Sequence, residues 1–71
     1  MNKNIISPLP GTIIELLVKP GDRVESGQAV AVLEAMKMEN EIQAEYSGTV
    51  TSVNVSEGDS VMAGTEIISI S

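Results

Sequence analysis

GTIIELLVKPGDRVESG, residues 11–27, returns 37 positions later as GTVTSVNVSEGDSVMAG, residues 48–64. Ile5, Gly11, Thr12, Val18, Gly21, Asp22, Val24 and Gly27 recur as Ile42, Gly48, Thr49, Val55, Gly58, Asp59, Val61 and Gly64. Ile13, Leu16, Val30 and Leu33 are matched by the aliphatic residues Val50, Val53, Ile67 and Ile70. The offset never changes, so residues 1–34 align with 38–71 without a gap. Only Ala35, Met36 and Lys37 stand between the copies. Residues 1–71 therefore read as a single domain made of two equivalent halves, 1–34 and 38–71.

Each half reads as β structure. Lys19-Pro20-Gly21-Asp22 fits a type II turn, with Pro at its second position and Gly supplying positive φ at its third. Ser56-Glu57-Gly58-Asp59 keeps that Gly, and Gly27 and Gly64 mark a second turn in each half. Strands are expected over 4–7, 12–18, 23–24, 29–35, 38–44, 49–55, 60–61 and 66–70. In the second copy the apolar residues Val50, Val53 and Val55 are spaced by three and then two, where a plain strand alternates strictly. A bulge or sharp twist is expected near Ser52 and, by the repeat, near Glu15. The architecture predicted is all-β: a flattened barrel or sandwich of two interlocked copies about an approximate two-fold axis. The termini should lie together, with Lys37 at the far end.

Composition narrows the chemistry. Twenty Ile, Val and Leu residues, with one Tyr and no Phe or Trp, favour strands over helices. Ten acidic against four basic residues give a net charge of −6, the wrong sign for nucleic acid, whose phosphates require clustered Lys and Arg. With no Cys and no His, the chain offers no disulfide, zinc–cysteine site, imidazole ligand or Ser-His-Asp triad. The longest apolar run, Ala29–Leu33, is far too short to enter a membrane as a spanning helix. The N-terminal MNKNIISPLPG lacks the apolar stretch of a signal peptide, so a cytoplasmic compartment is expected. The acidic surface suits a monomer that meets its partners briefly. Neither a metal site nor a catalytic constellation is expected.

The junction between the halves is the exceptional point. Strand 29–35 runs into strand 38–44 and leaves Met36-Lys37 as a two-residue hairpin loop. Such loops favour residues that tolerate positive φ, typically Asn-Gly or Asp-Gly. Every other tight turn here uses Gly; this one does not. Departures from local turn chemistry are expected at functional sites. The loop also projects the Lys37 ammonium beyond the barrel.

EAMKMEN, residues 34–40, preceded by SPLPGTI and KPGDRVESGQ and followed by SGTV and EGDSV, closely resembles the biotinyl domain of biotin-dependent carboxylases, decarboxylases and transcarboxylases. The gapless repeat leaves no room for the protruding thumb of some carriers, so the likeness is to the thumbless type. The resemblance implies a carrier, not an enzyme. It implies that biotin is joined as an amide to Lys37 by a biotin protein ligase, with Ala35, Met36 and Met38 as flanking recognition residues. It implies further that the biotin shuttles a carboxyl group between a biotin carboxylase and a carboxyltransferase or decarboxylase. The residues agree with that chemistry. A carrier needs one accessible primary amine, and a lysine of ordinary pKa, about 10.4, is a poor nucleophile near neutrality, so activation must come from the ligase.

Other readings of the same residues exist. A lipoyl carrier resembles this fold, but typically shows Asp-Lys-Ala at its tip in place of Met36-Lys37-Met38. An unmodified barrel serving as an adaptor is a third class. Schiff-base catalysis by Lys37 would require a desolvated pocket, the opposite of a hairpin tip. Met38, at the start of a strand, is a candidate for partial packing as a gap filler, and Met36 for a recognition contact. Glu34 and Glu39 read as a solvated cross-strand pair, Glu41 and Glu45 as solvated carboxylates.

Overall fold

The computed structural model describes residues 3–71. Met1 and Asn2, which belong to the expected first half, lie outside the described residues. Eight strands follow in order: β1 (Lys3–Ile6), β2 (Gly11–Leu16), β3 (Arg23–Val24), β4 (Ala29–Ala35), β5 (Met38–Gln43), β6 (Gly48–Val53), β7 (Ser60–Val61) and β8 (Glu66–Ile70). No helix occurs among the described residues. Two four-stranded sheets form, ordered β1-β8-β6-β3 and β5-β4-β2-β7. Adding 37 to the first half and subtracting it from the second turns either order into the other. Each sheet takes strands from both halves, so the copies are interlocked as the repeat requires.

The equivalence extends to single hydrogen bonds. Ser7 N donates to Thr65 O and Ala44 N to Gln28 O, both at 2.8 Å. Ile13 N donates to Asp59 O at 2.9 Å, and Val50 N to Asp22 O at 2.8 Å. The core repeats too: Ile13 with Val50, Val24 with Val61, Val30 with Ile67, Ala31 with Ile68 and Leu33 with Ile70 are all buried. The exception in chemistry is Ser7, fully buried opposite its counterpart Ala44. Its hydroxyl donates to Leu9 O at 2.6 Å, which removes the cost of burying it unpaired.

The expected bulges are present. The β2–β4 register shifts between Ile13 and Glu15, leaving Ile14 unpaired. The β6–β8 register shifts between Val50 and Ser52, leaving Thr51 unpaired. Each strand keeps its apolar residues inward by inserting one residue that points out. Two further shifts, opposite Ile67 in the β1–β8 ladder and opposite Val30 in β4–β5, complete the symmetric set. The bulges also explain why several strands end earlier than expected. Beyond Leu16 the twisted chain leaves the ladder, although Leu17 N still donates to Val30 O at 2.9 Å.

Gly21 and Gly58 have φ of 96° and 93°, and Asp22 N and Asp59 N close their turns on Lys19 O and Ser56 O at 3.0 and 3.1 Å. An added Cβ at either glycine would meet open space, so the penalty for substitution is conformational alone. Gly21→Val and Gly58→Val should each cost about 1–3 kcal/mol in denaturant melts. Asn, which tolerates the left-handed region, should cost much less at the same positions. Equal midpoints for wild type and Gly58→Val would contradict the turn assignment.

The molecule measures 33 × 19 × 17 Å. β2 starts beside the end of β4, where Gly11 lies against the Glu34 carbonyl, and runs away from it antiparallel to β4. Its continuation reaches the Lys19–Asp22 turn, whose Gly21 N donates to Val50 O at 2.8 Å. That is where Thr49 and Ser71 exchange backbone hydrogen bonds and where Lys3 pairs with Ile70. The described ends therefore sit together, and the β4–β5 hairpin is at the opposite end.

Candidate modification site at the hairpin tip

β4 is buried on successive inward positions up to Ala35, which is 7% exposed. β5 begins at Met38 directly across from it, and the ladder continues with Glu34 opposite Glu39 and Leu33 opposite Asn40. Met36 and Lys37 alone make the connection. Their φ values are 55° and 64°, the pair of positive angles that a type I′ hairpin demands. They are also the two non-glycine residues with positive φ in the described chain. A left-handed residue bearing a Cβ costs about 1–2 kcal/mol, and here the cost falls on two adjacent residues. The ladder beneath offsets it: Ala35 anchors the base, and the Asn40 side-chain amide donates to Met38 O at 3.3 Å.

The tip is bare. Met36 is 90% exposed and Met38 64%. Met38 thus does not fill a gap in the core; both methionines flank Lys37 as free apolar surface. Lys37 is itself exposed, as are Glu34 and Glu39. Like charges directly opposite on adjacent strands repel, so Glu34 and Glu39 do not stabilise the hairpin as a pair. They put two carboxylates on one exposed face of the hairpin, three and two residues from Lys37 in the chain. Of the four consecutive residues named from the sequence, Ala35 is buried and Met36, Lys37 and Met38 are exposed.

The other described lysines differ. Lys3 Nζ lies 4.6 Å from the centroid of the Tyr46 ring, on β1 at the far end. Lys19 opens the first glycine turn, its backbone N–H donating to Asp22 Oδ2 at 3.0 Å. A hollow of about 340 Å³ is lined by Ile6, Pro8, Glu41, Ile42, Gln43 and Glu45. It does not include the tip. No group of His, Cys, Asp and Glu is placed to hold a metal among the described residues.

Sequence reasoning missed one support of the site. Gly11 has ordinary φ, yet a Cβ there would fall on the carbonyl oxygen of Glu34. This glycine lets β2 approach the strand that carries the tip. The signal was available: Gly11 and Gly48 recur outside any turn.

A two-sheet β domain of repeated halves, with a lone unencumbered amine on the connecting hairpin, defines the class of swinging-arm carrier domains. A family model described as "Biotin-requiring enzyme" matches residues 3–70, and the chain belongs to this family as a biotinyl domain. It is 52% identical over 64 residues to the biotin carboxyl carrier protein of Streptococcus mutans, covering 90% of this chain and 49% of that one. It is 38% identical over 66 residues to the biotin carboxyl carrier protein of acetyl-CoA carboxylase from Solanum lycopersicum, covering 93% of this chain and 94% of that one. The Kluyveromyces lactis urea carboxylase structure superposes with a TM-score of 0.93 at 32% identity, over 100% of this chain and 6% of that one. The chain thus spans about half of the Streptococcus protein and a small part of the carboxylase.

Proposed function

We propose that residues 1–71 form one thumbless biotin carrier domain, and that Lys37 is its acceptor. The observation that carries the reading is the exposed Lys37 amine on a hairpin whose two loop residues both have positive φ without glycine. The residues fit biotin held covalently: an amide requires one free amine and no pocket, and the tip offers that. Bound there, biotin supplies the group that takes up and gives off a carboxyl.

The chain's own residues bind and orient. Lys37 Nζ attacks the acyl carbon of an activated biotin; the C–N bond forms, the activating group leaves, and the amine loses its proton. The amide is neutral, so the formal net charge falls from −6 to −7 by loss of one positive charge. With no His or Cys in the chain, a biotin protein ligase must supply the activation. Ala35 fixes the base of the tip, and Met36 and Met38 offer the ligase an apolar grip on either side of the amine. Tethering then holds the cofactor at an effective concentration of order mM beside each site it visits. Those sites belong to a biotin carboxylase and to a carboxyltransferase or decarboxylase. The domain acts as a monomer in the cytoplasm and contributes no catalytic residue.

Lys37→Arg keeps the charge and the exposed tip but removes the primary amine. Incubated with active ligase, ATP and biotin, this variant should fold normally and give no streptavidin signal. A persisting signal would move the acceptor to Lys3 or Lys19 and end the assignment.

A further inference from the structure

We propose that the β4–β5 hairpin is also a hinge, through which two copies of this chain exchange halves to form a dimer. The ladders are the first reason. Only β2–β4 and β6–β8 join strands of the same half; β1–β8, β2–β7, β3–β6 and β4–β5 all join strands of different halves. The turn bonds Ser7 N to Thr65 O, Gly27 N to Ala44 O and Gly58 N to Ile13 O cross as well. Neither half can close its core alone. Each requires a complementary half, and the complementary half of a second copy is identical to its own.

The second reason is the link itself. Met36 and Lys37 alone connect β4 to β5, and both are held in the left-handed region without glycine. A short hinge under strain favours domain exchange. Running the chain straight from β4 into β5 releases both residues.

The third reason is register. Val32 with Glu41, Leu33 with Asn40, Glu34 with Glu39 and Ala35 with Met38 are spaced symmetrically about the Met36–Lys37 bond, with no bulge among them. If the hinge straightens, the same ladder continues between two chains, placing Met36 of one opposite Lys37 of its partner. Since the hinge is at the end away from the described termini, two globules would lie tip to tip, about twice the 33 Å length of one. Exchange breaks four ladders, so it occurs during folding and is governed by protein concentration then, not by later mixing. In the dimer Lys37 lies within a ribbon between two bodies and no longer projects. Its withdrawal from a biotin ligase rests on the acceptor assignment above; the exchange itself does not.

The test is refolding from denaturant at high and low protein concentration, followed by size-exclusion chromatography with light scattering. Wild type should yield a dimer fraction that grows with concentration and persists on dilution. Replacing the loop by Met36→Asn with Lys37→Gly, a pair suited to positive φ, should lower that fraction about tenfold or more. Deleting residues 36 and 37 leaves no loop to close and should give dimer alone. A double variant, Glu34→Cys with Glu39→Cys, reports exchange directly: oxidised dimer should run at twice the chain mass on a non-reducing gel. Wild type that refolds only to monomer at high concentration overturns the proposal. So does a dimer whose oxidised double variant runs at single-chain mass, because its ladder is then intramolecular. Neither result touches the assignment of Lys37 as acceptor.

Discussion

Exchanging the two loop residues, Met36→Lys with Lys37→Met, should leave the melting temperature unchanged and slow ligase-catalysed biotinylation by about tenfold or more. Composition, charge and loop length are preserved, and both side chains are exposed in the parent, so the fold has little to lose. What changes is direction. In a two-residue loop with φ of 55° and 64°, the two Cα–Cβ bonds leave the turn along different vectors. A ligase must bring the amine within about 3–3.5 Å of an activated acyl carbon, and a misplacement of about 1 Å costs on the order of a hundredfold in rate. The exchange also brings the amine nearer Ala35 and puts one methionine where the amine was. A timed ligase assay with circular dichroism melts alongside separates the possibilities. Equal rates would mean that the ligase accepts any amine near the tip.

The largest effect on stability is expected at Gly11 and Gly48, not at the turn glycines. At Gly11 an added Cβ falls on the Glu34 carbonyl oxygen. At Gly48 it comes within 2.6 Å of Ile70 Cγ2 and 2.7 Å of Ser71 O. Backbone cannot move aside as a side-chain end can, so the strands must separate. Gly11→Ala should already cost about 3 kcal/mol, and Gly11→Val more. A domain of this size has a total stability of about 4–10 kcal/mol, so the valine variant approaches unfolding at ambient temperature. Gly21→Ala, strained but unobstructed, provides the control and should cost less. Urea melts that rank Gly21→Ala as the more damaging change would show that close approach of β2 to β4 does not limit the fold. Because Gly11 supports the strand that ends in the tip, partial loss of biotin acceptance should accompany the loss of stability.

The sequence was most legible where it repeats. The constant offset of 37 told that the halves are equivalent, and the Pro-Gly-Asp and Glu-Gly-Asp turns told where each half reverses. The spacing of Val50, Val53 and Val55 located a real bulge, since inward residues can only be spaced by three if one residue is set aside. The glycine-free loop at Met36-Lys37 marked the tip for the same kind of reason: local chemistry disagreed with the conformation the hairpin requires. Other features were hidden because they depend on neighbours distant in sequence. The repeat says that β1 corresponds to β5, but not that β1 pairs with β8 of the other half. The shifts opposite Val30 and Ile67 fall where apolar residues stand side by side, in the run AVAVL and at the Ile67-Ile68 pair, so strict alternation gives no signal there. Ser7 closes the expected strand 4–7 with a polar side chain that nothing in the sequence marks as inward, yet it is buried because its hydroxyl finds Leu9 O. Met38 looked half suited to packing, but it lies across from Ala35 at the open end of the ladder and is 64% exposed.

The carrier role proposed for this domain depends on one residue, Lys37, receiving biotin. Intact mass spectrometry of wild-type protein incubated with ligase, ATP and biotin, followed by fragmentation of the labelled chain, tests it most directly. One biotinyl group per chain is expected, with every labelled fragment containing Lys37 and none carrying label on Lys3 or Lys19. An unlabelled chain, or label on either of those two lysines, would contradict it.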